Sequence, residues 1–173
     1  FDPMVFVYGE EYNMNIDVLQ SSLINTNNGE VTYLLGIESR GAYGIGLNFD
    51  RFFLTERAEL FVYDLEKTFF IGSFTNLNNK DNQVFSTSIV KSDHIIIELT
   101  VPYDEIKDIS LHIDSIIHDS TDILNYYDDS SFDSREDCNI NVICSEGDDW
   151  RDQINGAVRV SMGAGLCSAS IIN

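Results

Sequence analysis

Short runs of apolar and β-branched residues recur along the first 127 positions of the chain. Six of them stand out, at residues 31–37, 43–49, 59–63, 68–71, 94–101 and 109–117. Their content of Val, Ile, Phe and Tyr is typical of strands, and no stretch shows a helical period of useful length. Turn-forming residues separate the runs, at 27–30, 39–41, 76–82, 91–93 and 102–104. The pattern predicts an all-β, jelly-roll-like antiparallel β-sandwich over residues 1–127.

The strand pattern breaks at residues 128–137. This segment holds five acidic residues, three serines and a single arginine, a composition too polar to bury. We predict that it is a solvated acidic linker and a domain boundary. Beyond it, residues 157–162 and 166–172 have strand composition and flank a Gly-Ala-Gly turn at 163–165, which predicts a hairpin. Because one hairpin cannot form a core by itself, residues 138–173 are expected to be the first strands of another domain.

The charge balance limits the class of partner. The chain of 173 residues has 29 acidic and 10 basic residues, and its formal net charge is −19. Such a surface repels polyanions, so we expect no nucleic-acid partner. The hydrophobic fraction of 43% is too high for a disordered acidic chain and predicts a packed core. No apolar run approaches the roughly 20 residues that span a bilayer, so no membrane span is expected.

The chain does not open with a signal peptide, so the protein is expected to be cytosolic or to have lost its export signal. The cysteines favour export. Cys138, Cys144 and Cys167 are an odd number, so at least one of them has no intrachain partner. Residues 138–144 alternate as a strand does and would span about 20 Å, whereas a disulfide joins Cα atoms about 5.5 Å apart. If the segment is extended, Cys138 and Cys144 therefore cannot pair with each other. A zinc site is the rival interpretation, but the spacing is not Cys-x2-Cys and no histidine lies nearby.

Two parts of the chain resemble a known family. Residues 138–153, CNINVICSEGDDWRDQ, with AVRV at 157–160 and LCSASIIN at 166–173, are similar to the opening of the mature peptidase in bacterial lysyl-endopeptidase-like, trypsin-like serine protease precursors. The chain also resembles the β-rich propeptide region of those precursors at residues 33–42, 49–54, 58–63 and 98–102.

The resemblance implies a function. The chain would be the propeptide and amino-terminal segment of a secreted or cell-surface serine endopeptidase zymogen, and the propeptide would assist folding and latency of the peptidase. In the family the His and Ser of the triad come later than Asn173, so no catalytic residue is carried over. The partner would be the remainder of the peptidase domain, in cis or as a separate chain. By the same resemblance, Cys138, Cys144 and Cys167 would each pair with a cysteine further along the precursor.

The sequence departs from the family pattern at two places. Ser145 stands where proline is usual, and Ser168-Ala169 replaces Thr-Gly after the cysteine. Both departures change residues that shape turns.

Arg135 is the only basic residue of the acidic linker and lies three positions before Cys138. Flexible, polar loop tips are where proteases cut chains. Together with the resemblance, this predicts processing within residues 128–137, with Arg135 as the best single candidate. The alternative is a surface residue that balances charge.

Other motifs are interpreted as structural. His94, His112 and His118 have aspartates nearby in sequence, but Gly-x-Ser-x-Gly is absent. His94 and His112 alternate with isoleucines and are assigned to a strand face, and the resemblance implies a structural strand end for His118. The glycines at 41–46 have the wrong spacing for a dinucleotide fingerprint, and no cofactor is predicted. The acidic residues at 128–133 and 146–152 could supply ligands to calcium, but neither group matches a known loop. We interpret them as solvated charge and assign no metal.

Two other functions stay open. A β-sandwich can act as a binding or adhesion module, for a glycan or a protein, and the eight Tyr residues and Trp150 could supply stacking surfaces. Alternatively, the chain could be a structural protein that kept the front half of a precursor and lost its catalytic part.

Overall fold

A computed structural model describes residues 6–125 and 145–171 of the chain. Within these residues the chain forms three antiparallel sheets and two short helices. The all-β class and the antiparallel arrangement predicted from the sequence are confirmed.

Two of the sheets form the body of the molecule. The first has four strands, in the order β2 (Gly9–Asp17), β10 (Ser110–Asp119), β5 (Gly44–Phe53) and β8 (Phe85–Ser86). The second has five, in the order β3 (Leu23–Asn27), β4 (Glu30–Glu38), β9 (His94–Pro102), β6 (Glu59–Asp64) and β7 (Phe70–Phe74). The third and smallest sheet joins the two ends of the described chain, in the order β1 (Phe6–Val7), β12 (Gly165–Ser170) and β11 (Ala157–Met162).

The core lies between the four-stranded and the five-stranded sheet. Strand β9 shows why: Ile97 and Leu99 are fully buried, while Glu98 between them lies on the opposite, outer face. Residues of both sheets, such as Phe49 of β5 and Leu60 of β6, belong to the same buried cluster. Burying one such side chain stabilises the fold by about 1.5–3 kcal/mol. The two sheets therefore pack face to face as a sandwich.

The helices are short. Helix α1 (Val18–Ser21) has four residues and α2 (Arg151–Gly156) has six. The Asp17 side chain caps α1 by accepting a hydrogen bond from the Gln20 amide at 3.1 Å, and Val18 fills part of the core. No helix of the described part of the chain is long and apolar enough to cross a membrane.

All six strands predicted from apolar runs are present, as β4, β5, β6, β7, β9 and β10. The sequence did not predict β1, β2, β3 and β8. Strands β1 and β8 have only two residues each, and β3 is an edge strand exposed along its length. A strand exposed on both faces has no alternating apolar pattern to reveal it. Strand β2 does alternate Tyr12, Met14 and Ile16 with polar residues, and Met14 and Ile16 pack against the core, so its pattern was present in the sequence and was missed. The predicted hairpin is confirmed as β11 and β12, whereas residues 145–156, which had no predicted element, form a 3-10 helix followed by α2.

Candidate functional site

The sequence-predicted site residues fall mostly in a part of the chain that is not described. Cys138, Cys144 and Arg135 lie outside the described residues, so their disulfide and processing roles stay predictions. Cys167 lies on β12 opposite Val160, is half-buried, and its thiol is free.

The three histidines occupy three separate positions. His94 contacts Asp93 at 2.7 Å, as their adjacency suggested. His112 and His118 do not contact the aspartates that neighbour them in sequence: Nδ1 of His112 lies 2.5 Å from Asp50, and Nδ1 of His118 lies 2.8 Å from the Ser39 hydroxyl.

These contacts do not assemble a triad. The hydrogen bonds of the described residues give His118 no carboxylate partner that could orient its ring toward Ser39, as a Ser-His-Asp triad requires. Nε2 of His112 lies 3.1 Å from the Asn15 side-chain oxygen, so both of its ring nitrogens are engaged. The interpretation of His94 and His112 as residues of strand faces agrees with these contacts.

Two aspartates beside the histidines have shifted acidities. A hydrogen bond from His94 lowers the pKa of Asp93 and raises the pKa of His94 above its ordinary value. Burial by itself would raise the pKa of Asp50, but the hydrogen bond and the charge of His112 together bring it below its ordinary value. Both shifts are those of paired side chains on a protein surface.

The acidic residues after position 145 are partly neutralised within the chain. Asp148 accepts a hydrogen bond from Arg151 at 2.7 Å, one helical turn away. In the described ranges no three His, Cys, Asp or Glu side chains lie close enough together to hold a metal ion.

The clearest contact between distant parts of the chain joins the sandwich to the C-terminal hairpin. Strand β1 pairs with β12, with Phe6 opposite Leu166. The next residue, Tyr8, donates its backbone N–H to the Ala164 carbonyl at 2.9 Å and its hydroxyl to the Gly163 carbonyl at 3.1 Å. Tyr8 is only 2% exposed, so its ring is buried where the hairpin turn meets the sandwich.

We call this region the hairpin contact. Its members form a buried cluster that is separate from the main core, made of Tyr8, Ile89, Ile117 and Ile123 from the sandwich with Ala164 and Leu166 from the hairpin. A small cavity of about 180 Å³ remains between the two sides. Apolar contact on both sides of the turn, added to backbone pairing, fixes the hairpin to one end of the four-stranded sheet.

Two glycines of the sandwich, Gly44 and Gly9, allow close packing beside the hairpin contact. A Cβ atom at Gly44 would lie 2.3 Å from Ile89, and one at Gly9 would lie 2.1 Å from the His118 carbonyl oxygen. Larger side chains would displace Ile89 or separate β2 from β10 beside Tyr8. Close packing, rather than phosphate binding, explains Gly44.

Polar groups of the turn after β10 complete the contact. The Asp119 side chain, only 1% exposed, accepts hydrogen bonds from the backbone amides of Thr121 and Ile123, each at 2.9 Å. The Thr121 hydroxyl and the Ser120 amide both donate to the Tyr8 carbonyl, each at 3.1 Å. Asp119 thus shapes the turn that places Ile123 against Tyr8.

Among the described residues, the far edge of the hairpin has no partner strand. Strand β11 pairs with β12 on one side, and no other strand among residues 6–125 and 145–171 pairs with it. Val160 on β11 is 37% exposed, and Ile171 after β12 is 66% exposed. An unpaired edge with apolar side chains is a template for another strand.

A second feature lies on the outer face of the five-stranded sheet. Phe61 stands opposite Glu98, and Tyr63 stands opposite Phe70. The Lys67 ammonium, from the turn between β6 and β7, lies 4.9 Å from the centre of the Tyr63 ring. We call these five side chains the aromatic face; they line a pocket of about 320 Å³.

Tyr63 and Glu98 are fixed by each other. The Tyr63 hydroxyl donates to a Glu98 carboxylate oxygen at 2.5 Å. Burial raises the pKa of the Tyr63 phenol, and the hydrogen bond to Glu98 raises it further, so the phenol stays protonated at neutral pH. The carboxylate keeps acceptor capacity beyond the Tyr63 bond, because an ionised carboxylate has about four lone-pair sites.

No protein-family model matches the chain, and no solved structure matches it significantly.

The sequence analysis located neither the hairpin contact nor the aromatic face. Tyr8 precedes the first recognisable strand, and its contact depends on a pairing across more than 150 positions that no local pattern encodes. The aromatic face did leave a signal: in the segment 59–63, Leu60 and Val62 face the core, so the apolar residues Phe61 and Tyr63 must face out. Apolar residues on both faces of a strand that covers a core on one side indicate a second contact surface.

Proposed function

We propose that this chain is the propeptide and amino-terminal segment of a secreted serine endopeptidase zymogen, and that its sandwich supports the first hairpin of the peptidase. The proposal combines the family resemblance of residues 138–173 with one structural observation. That observation is the addition of β1 to the edge of β12, with Tyr8 buried against the hairpin turn.

The contact gives the hairpin what it lacks alone. A two-stranded hairpin is marginally stable in water, and here a third strand and an apolar cluster are added from the sandwich. A folding assistant that pairs with one edge leaves the other edge, β11, available for the next peptidase strand. Such strand addition is a recurring mode of recognition, in which backbone hydrogen bonds supply affinity and side-chain pockets supply specificity.

The free thiol of Cys167 is compatible with the same proposal. It lies half-buried on β12, within the segment that resembles the peptidase. By the resemblance, its partner cysteine belongs to polypeptide beyond Asn173. In this function Cys138, Cys144 and Cys167 become disulfides only when the rest of the peptidase domain is present.

The coding DNA downstream of Asn173 gives the first test. The proposal expects further codons for a trypsin-like peptidase, with a His, an Asp and a Ser in triad order. A stop codon directly after Asn173 would contradict it and would favour a binding or structural protein.

Variants of the precursor give the second test. Tyr8→Ala removes the buried ring and is expected to lower the yield of active peptidase on refolding or secretion. Tyr103→Ala is the matched control, because Tyr103 is 71% exposed and belongs to the 3-10 turn after β9. Equal yields from the two variants would contradict a folding role for the hairpin contact.

A further inference from the structure

We infer that the aromatic face is a binding site for a neutral saccharide. This inference does not depend on the proposed zymogen, since the aromatic face lies on the five-stranded sheet and the hairpin contact lies on the four-stranded one. It assigns a ligand to a surface that neither the core nor the hairpin uses.

The geometry is that of a small ligand site. Small-molecule pockets have volumes of about 300–1,000 Å³ and combine apolar walls with a few placed polar groups. The pocket of about 320 Å³ is lined by Phe61, Tyr63 and Phe70, with Glu98 and Lys67 as its polar groups. Phe70 is 65% exposed, so one ring is already presented to solvent.

The chemistry suits a sugar. Aromatic ring faces carry partial negative charge and attract the weakly positive C–H groups on a pyranose face. The Glu98 carboxylate accepts hydrogen bonds from hydroxyl groups, and the Lys67 ammonium donates them. Tyr63 orients the carboxylate through its 2.5 Å hydrogen bond, so the acceptor is preorganised and binding loses little side-chain entropy.

The three rings differ in exposure: Phe61 is half-buried and Tyr63 is only 8% exposed, so Phe70 is the ring most open to a ligand. Gly72 on β7 lies beside Phe61, and a Cβ atom there would be 2.7 Å from the Leu60 carbonyl oxygen and 3.1 Å from the ring carbon Cδ1 of Phe61. Gly36 on β4 faces Ile96, and its missing side chain extends the open surface along the same row as Tyr63.

Other occupants fit less well. The net charge of −19 repels acidic saccharides and a second copy of the chain. A quaternary ammonium would be repelled by the Lys67 ammonium, which lies 4.9 Å from the centre of the Tyr63 ring. A protein partner requires roughly 20–30 residues on each side of an interface, whereas the pocket is lined by five.

Calorimetric titration of the full chain tests the inference. The probes are neutral hexasaccharides of glucose, mannose and N-acetylglucosamine, with oligogalacturonate and tetramethylammonium as comparison ligands. We expect at least one neutral hexasaccharide to bind with a Kd below about 10 mM and neither comparison ligand to bind. If no neutral hexasaccharide binds with a Kd below about 10 mM, or if only a comparison ligand binds, the inference is wrong.

Two variants locate the binding. Phe70→Ala removes an exposed ring and is expected to weaken binding about tenfold. Phe53→Ala is the control, because Phe53 is 40% exposed on β5 of the other sheet, and it should leave the Kd unchanged. Equal weakening by both variants, or by neither, would overturn the assignment. Glu98→Gln, which keeps the shape and removes the charge, should also weaken binding.

Discussion

At the scale of single residues, the surface ion pairs set local pH dependence. Asp93 raises the pKa of His94 through their 2.7 Å hydrogen bond, with smaller additions from Glu38. A histidine whose pKa is raised by folding adds to the free energy of unfolding below its unfolded pKa of about 6.5. That contribution is lost as the pH rises through the folded-state pKa.

An NMR titration of the imidazole protons checks this account. His94 is expected to titrate above about 6.5, and Asp93→Asn should bring the titration back toward that value. Glu38 is within 3.3 Å of the other ring nitrogen, so Glu38→Gln should lower it by a smaller amount. A wild-type midpoint at or below the ordinary value would contradict the pairing.

At the scale of elements, strand pairing beside the hairpin contact depends on Gly9. Because a Cβ atom there would meet the His118 carbonyl oxygen at 2.1 Å, Gly9→Ala is expected to destabilise the fold by about 1–3 kcal/mol. Gly36→Ala is the matched control within a strand, since the nearest atom to its Cβ would lie at an ordinary 3.6 Å. Chemical denaturation measures both, and equal stabilities would contradict the close approach of β2 to β10.

The elements also show what sequence patterns encode. Strands β4 and β9 bury every second residue, and that period is visible in the sequence. Edge strand β2, GEEYNMNID, is mostly exposed, but its partly buried Met14 and Ile16 pack against the core, and it is hydrogen-bonded to β10. Local patterns therefore predicted the central strands and the edge strand β7, and missed β1, β2, β3 and β8.

The hairpin contact and the histidine partners were harder to predict than the central strands, because they depend on contacts between residues far apart in the sequence. The hairpin itself was predicted from Gly163-Ala164-Gly165, because turn chemistry is local. Its pairing with Phe6 and Val7 was not, because the pairing joins segments from opposite ends of the chain. The partner of His112 was likewise Asp50 on a neighbouring strand, and not the aspartate two positions along.

At the scale of the whole molecule, the net charge of −19 places like charges close together over the surface. Self-repulsion of this kind lowers the stability of the compact state, and salt screens it over a Debye length of about 10 Å at about 0.1 M. The temperature of unfolding is therefore expected to rise when sodium chloride is added at neutral pH. A temperature of unfolding that falls steadily with added salt would show that attractive ion pairs dominate instead.

Hydrogen–deuterium exchange of the full chain tests the central claim most directly, because that claim is that the sandwich holds the C-terminal hairpin. The account predicts slow exchange for the Tyr8 amide, which is bonded to Ala164, and for the amides of β12. Leu166→Asp should speed exchange at both places and leave the amides of β9 protected. If the hairpin amides of the wild-type protein exchange as fast as those of an unstructured peptide while β9 stays protected, the hairpin is not held and the account is wrong.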